Sequence, residues 1–184
     1  MTISNQENEL IEKIKRGDIR AFHRFVELHE KSIANVVIGM LGNTEEAENI
    51  AQDVFIKFFY NVHKFRKESS ARTYLTRIAI NLSLNELKRK KIRKKRIENP
   101  GDMKIYEDEA SVQPGEFELK EILGKELNKL EEGQRAVFIL RMIEGYSTRE
   151  TADILKIPEG TVLSRLHRAT GIMKNKLEEY KYHY

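Results

Sequence analysis

Cysteine is absent from the 184 residues, which excludes a disulfide framework and any zinc site built on thiolates. Long apolar runs are missing as well. The longest, Ile33–Leu41, is broken by Asn35 and Gly39 and falls far short of the ~20 residues that a membrane-spanning helix needs. The N-terminus has no charged-then-apolar signal pattern. Alternating, strand-like patterns are almost lacking, and no internal repeat is visible. Proline is scarce, at three residues, and two of them (Pro100 and Pro114) fall close together. These absences leave a soluble, cytoplasmic, all-α chain.

The composition supplies the rest. Apolar residues make up 40% and charged residues 34%, enough for real cores beneath a very wet helical surface. The net charge of +4 conceals two opposed blocks. Residues 71–96 carry ten Lys/Arg against one acid, and residues 97–118 carry seven acids against one Lys. Neighbouring blocks of opposite sign imply separate partners for separate segments.

Four helical patterns occupy residues 1–96. Ser4 with Glu7 has the spacing of a capping box, and Gly17 closes that first helix. Asp18 opens a second, with Phe22, Phe25 and Val26 turned inward, running on to Gly42. Asn43 with Glu46 marks a third start, followed by Ala47, Ile50, Val54, Phe55 and Phe58 at helical spacing. Ser69 or Ser70 caps a fourth helix from Ala71 into the basic block. Residues 97–120, with two Pro-Gly pairs and scattered acids, read as a flexible acidic linker. Residues 121–184 form a second small helical domain.

That second domain contains a short helix, a tight turn and another helix. Ser147 and Glu150 form a capping box, Ala152 and Leu155 face inward, and Lys156–Ile157 turns the chain. Pro158 is expected at the first helical position, where no backbone N–H is needed. At 100° per residue the inward stripe of the last helix is Val162, Leu166, Ala169 and Met173. The opposite stripe is Gly160, Ser164, His167 and Gly171, flanked by Thr161, Leu163 and Arg168. A small, polar, basic outer face can approach a phosphate backbone and donate to base edges, which is the helix-turn-helix layout. His167 has no second ligand at a metal spacing.

The fourth helix is apolar on two sides, through Ala71, Leu75, Ile78 and Leu82 and through Ile80, Leu84 and Leu87. Between them runs a polar edge of Arg77, Asn81, Asn85 and Lys88, suited to bases and phosphates. Phe65, in the preceding loop beside Arg66 and Lys67, either stacks on a base or closes the core.

"NTEEAENIAQDVFIKFF", "FRKESSARTYLTRIAINLSLNELKRKK" and "LNKLEEGQRAVFILRMIEGYSTRETADILKIPEGTVLSRLHRA" together resemble the extracytoplasmic-function (ECF) sigma factors of bacterial RNA polymerase, in the right order over nearly the whole chain. The resemblance implies a region 2 domain at 1–96 and a region 4 domain at 121–184. It implies core polymerase (clamp helices and flap), promoter DNA and an anti-sigma factor as partners, with no cofactor and no catalysis. By position, it assigns polymerase binding to Asn49, Gln52, Asp53 and Lys57. It assigns the −10 element to Phe65, Arg77, Asn81, Asn85 and Lys88, and the −35 element to Thr161, Ser164, Arg165, His167 and Arg168. In the polymerase, the resemblance implies, the acidic linker lies in a channel built for nucleic acid. Two positions depart from the family pattern. Leu163 stands where Lys or Arg is usual, and Ala71 where an aromatic or basic residue is frequent.

Two other readings compete. A stand-alone helix-turn-helix regulator would use residues 1–96 to dimerise or sense a ligand, but needs neither the clamp-like third helix nor a fourth helix buried on two sides. A metal-dependent nuclease would need paired carboxylates or a His/Asp cluster, and the sequence has neither at a useful spacing.

Overall fold

The computed structural model describes residues 3–97 and 116–181, and among these every regular element is helical. Helices α1 (Ile3–Lys15), α2 (Ile19–Leu41), α3 (Glu45–Asn61) and α4 (Ala71–Ile97) form the N-terminal domain, with a single 3₁₀ turn at Val62–Lys64. Helices α5 (Glu116–Lys129), α6 (Glu132–Phe138), α7 (Thr148–Leu155) and α8 (Glu159–Lys181) form the C-terminal one. The body of the acidic linker, with its expected lack of order, lies outside the described residues. Helix α5 already begins at Glu116, inside the span expected to be linker.

Local chemistry explains the boundaries. Helix α1 starts at Ile3, which leaves Ser4 within the helix rather than at its cap. Gly17 takes φ +85, a left-handed value that suits glycine, and Asp18 then accepts the Ala21 N–H at 3.1 Å to cap α2. The α3 cap is Thr44 rather than Asn43. Its hydroxyl accepts from Ala47 N at 3.3 Å, which shifts the start by one residue. Ser70 caps α4, its hydroxyl accepting from Thr73 N at 3.1 Å.

The main core is aromatic at its centre. Phe25 stacks on Phe58 with ring centroids 4.5 Å apart, and both are fully buried. All five apolar residues expected to face inward from α3 do so. This core does not stop at the domain boundary, because Ala136, Ile139, Leu140, Tyr146 and Ile154 of the C-terminal domain belong to it. Residues of the same domain form two smaller clusters, one around Leu127, Leu130, Ala169 and Met173 and one around Val137, Ala152 and Val162.

Helix α6 widens into a π turn at Ile139–Ile143, where Glu144 N donates to Ile139 O at 2.9 Å. The Ile139 side chain fits over Gly39 of α2. A Cβ at that glycine would come within 2.9 Å of Ile139 Cδ1, so the two helices meet where a side chain is missing.

Candidate nucleic-acid interface

Helices α7 and α8 build the helix-turn-helix of the C-terminal domain. The capping box is complete, with Ser147 Oγ accepting from Glu150 N at 3.2 Å and Glu150 Oε2 accepting from Ser147 N at 2.8 Å. The Ser147 N–H first, and then the Ser147 hydroxyl, hold the Glu150 carboxyl below the usual carboxylate range. Lys156 ends α7 in the left-handed region at φ 54, which gives the abrupt turn that the motif requires. Pro158 lies one residue earlier than expected. It precedes the helix, and its carbonyl accepts from Val162 N at 3.2 Å while Glu159 takes the first helical position.

On α8 the inward stripe holds. Val162, Ala169 and Met173 are buried and Leu166 is half-buried. Gly160, Leu163, Ser164, His167 and Arg168 are all exposed on the outer side. Ser164 Oγ donates to Thr161 O at 3.1 Å within the helix, so its hydroxyl oxygen is the part left facing outward. Arg165 is not on that face. It lies only 60° around the helix from Val162, is half-buried, and its guanidinium occupies the space above Gly133, where a Cβ would come within 2.7 Å of Nη1. Thr161 is half-buried as well. Of the five residues expected at the −35 element, the outer face thus presents Ser164, His167 and Arg168.

On the N-terminal domain, Asn49, Gln52, Asp53 and Lys57 are exposed along α3, while Ile50, Val54 and Phe58 are buried. The same face carries two large apolar side chains that the sequence reading passed over, Ile56 at 49% and Tyr60 at 78% exposure. The spacing 49–53–56–60 puts them in one helical stripe, a signal that was present in the sequence. Asn49, Asp53 and Lys57 share an open cleft with Asn85, Arg89 and Arg93 of α4, so Asn85 stands beside the expected polymerase-binding residues.

The rest of the α4 edge divides. Asn81 and Lys88 are exposed. Arg77 is half-buried, and its Nη2 donates to the carbonyl of Asp153 in α7 at 3.3 Å. The Phe65 ring is 5% exposed and packs against Tyr74 (5.2 Å) and Phe58 (6.2 Å). It closes the core, and its expected stacking on a base is not available in this conformation. Among the described residues no group of three His, Cys, Asp or Glu side chains could hold a metal ion, and no helix is long and apolar enough to cross a membrane.

The described residues thus present two exposed helical faces, one on α3 that is polar with large apolar side chains and one on the helix-turn-helix that is small, polar and basic. Family models agree in both halves: Sigma-70 region 2 matches residues 25–93, and Sigma-70, region 4 matches residues 120–170. The chain is 30% identical to the RNA polymerase sigma-H factor of Pseudomonas aeruginosa, with 97% of each chain covered. It is 31% identical to the ECF RNA polymerase sigma factor SigW of Bacillus subtilis, over 92% of this chain and 95% of that one. Its fold matches the sigma factor RpoE of Bartonella quintana, solved with the anti-sigma factor NepR, at a TM-score of 0.71 and 23% identity, covering 87% of this chain and 98% of that one. The chain belongs to the ECF sigma factors of the sigma-70 family.

Proposed function

We propose that this chain is a promoter-specificity subunit of bacterial RNA polymerase, acting in the cytoplasm and performing no chemistry of its own. The observation that carries the reading is α8, buried on Val162, Ala169 and Met173 and exposed on Ser164, His167 and Arg168. A helix fixed in that way can enter the major groove and offer hydroxyl, imidazole and guanidinium groups to base edges and phosphates. The α3 stripe suits the clamp helices of core polymerase. Asn49, Gln52, Asp53 and Lys57 give polar specificity around the exposed Ile56 and Tyr60. Along α4, Arg77, Asn81 and Lys88 suit the strand of a melted −10 element, with Asn85 shared between that strand and the polymerase side. An anti-sigma factor is the expected regulator, as in the complex solved for the Bartonella quintana relative.

Purified chain added to core RNA polymerase should yield transcripts from promoters that holoenzyme selects out of a random-sequence library. DNA binding without promoter-dependent transcripts would instead identify a stand-alone regulator.

A further inference from the structure

The loop that joins the 3₁₀ turn to α4 is pinned at both ends. Phe65 N donates to Val62 O at 3.1 Å and the Phe65 ring is buried, while Ser70 Oγ accepts from Thr73 N at 3.1 Å to start α4. Between these anchors the chain bends at 67–69, and Lys67 takes φ 60. That left-handed value is uncommon for a residue with a side chain, and lysine lacks the short polar group that lets asparagine adopt it. Such a conformation persists where the surroundings hold it.

Here the holder is α1. Lys67 Nζ lies 3.0 Å from Glu12 Oε1, which also accepts from Lys15 Nζ at 3.2 Å. Among the described residues this is the only hydrogen bond or ion pair that reaches residues 66–69. Lys67, ahead of Lys15, holds the Glu12 carboxyl below the usual carboxylate range, so the pair is ionic at neutral pH. Helix α1 gives it firm support. Ile11 and Ile14, on either side of Glu12 in the sequence, are buried in the main core, and Glu7 Oε1 lies 2.8 Å from His29 Nε2 of α2.

The direction of the Lys67 side chain decides where its neighbours go. Its ammonium turns away to α1, whereas Arg66, Glu68 and Ser69 line an open cleft that continues to Thr73 and Arg77 of α4. Arg77 and Asn81 stand one helical turn apart on the edge proposed above for the melted −10 strand. Arg66 can hold a phosphate or stack on a base, and Glu68 can accept from an exocyclic amino group. Their reach into the cleft depends on the turn at Lys67.

We propose that Glu12 is a positioning residue for −10 recognition: by fixing Lys67 in its left-handed turn, α1 sets Arg66 and Glu68 against the melted strand and sharpens the choice of base there. This deepens the function proposed above and rests on it. An exposed ion pair is weak, so the strap tunes selectivity and does not switch transcription on or off.

The test uses the full chain with core RNA polymerase and a promoter library randomised through the −10 element. Glu12→Gln should leave Tm nearly unchanged and transcription from the preferred promoter within about twofold, while base preference at one −10 position falls about threefold. Lys67→Met, which keeps the stem and loses the charge, should match it. Lys67→Asn should keep most of the preference, since asparagine takes up the left-handed turn unaided. In the free chain, backbone amide relaxation at residues 66–69 should report greater mobility in Glu12→Gln than in wild type. Unchanged base preference in Glu12→Gln overturns the proposal, whatever the loop mobility. Equal loss in Lys67→Met and Lys67→Asn also overturns it, because the ammonium then touches DNA itself. If the wild-type chain gives no promoter-dependent transcript while the relaxation difference is present, the strap stands as a structural contact. The sigma reading has then failed, and the role in base choice falls with it.

Discussion

The Arg135 guanidinium on α6 donates to the carbonyl oxygen of Met40 across 2.6 Å, so a cation of one domain terminates the backbone ladder of α2 in the other. Its other Nη donors reach Asn128 Oδ1 and Leu130 O, each at 3.1 Å, and Asn128 O, while Nε is buried without a partner. The residue is only 6% exposed, and burial lowers its pKa, opposed by the nearby Glu132 carboxylate. An arginine fork can satisfy several acceptors in different directions, and an ammonium cannot. Arg135→Met should therefore cost about 3 kcal/mol by leaving buried acceptors unpaired. For a chain of this size that is a fall of about 6–12 °C in Tm by scanning calorimetry. Arg135→Lys should recover less than half of it, and full recovery would show that charge alone matters there.

The capping box of α7 gives a pH prediction. The Glu150 pKa is lowered mainly by the Ser147 N–H and then by its hydroxyl, with smaller help from Arg72 and Arg141. A depressed carboxyl pKa contributes stability that is present above its ordinary value and lost as pH falls through the folded one. The group is exposed, so solvent screening limits its share to a few tenths of a kcal/mol. The stability gap between wild type and Glu150→Gln should be widest near neutrality and close on acidification below the usual carboxylate range. Ser147→Ala, which removes the cap itself, should cost about 1 kcal/mol at every pH. A gap that widened in acid would contradict this account.

Asp53 is exposed, in the turn between the buried Ile50 and Val54, and shares its cleft with Arg89 and Arg93. Asp53→Arg should leave the helical circular dichroism signal and Tm nearly unchanged while weakening core polymerase binding about tenfold or more, since a reversed charge at a specific interface costs on the order of 2 kcal/mol. Tyr60→Ala should weaken the same binding without altering its salt dependence. Wild-type affinity for both would remove the α3 stripe from the polymerase interface.

Patterns that repeat along one helix were legible from sequence, and contacts between distant segments were not. The inward residues of α3 and the two faces of α8 follow from 3.6-residue periodicity, and the Ser147–Glu150 box from local side-chain chemistry. Cap positions shifted by a residue at Thr44 and Pro158, because neighbouring polar residues compete for the same N–H groups and proline's carbonyl can begin a helix that its ring precedes. Phe65 admitted two readings, and the aromatic contacts of Phe58 and Tyr74 decided between them. Arg165 resembled a reading residue until Gly133 offered its guanidinium a place to rest. The Glu144–Arg72 pair joins residues 72 positions apart, and no periodicity reports such a pairing.

Leu163 is the sharpest chance to read specificity from this chain. It is 55% exposed and sits next to Ser164 at the N-terminal end of the outer face of α8. Where the family usually carries a cation, this side chain can neither bind a phosphate nor donate to guanine. It can cover the methyl group that marks thymine in the major groove. Burying one methyl is worth about 0.8 kcal/mol, or roughly a fourfold change in Kd. Replacing the contacted thymine of a selected −35 duplex with deoxyuridine removes that methyl and nothing else, and should weaken wild-type binding by that factor. Leu163→Ala should bind the thymine duplex less tightly and no longer distinguish it from the deoxyuridine duplex. Leu163→Arg should instead tighten binding to all duplexes and steepen the salt dependence by about one phosphate contact. Scanning every thymine of the element by deoxyuridine substitution locates the contact. If no position separates wild type from Leu163→Ala, the side chain faces solvent in the complex and specificity rests on Ser164, His167 and Arg168 alone.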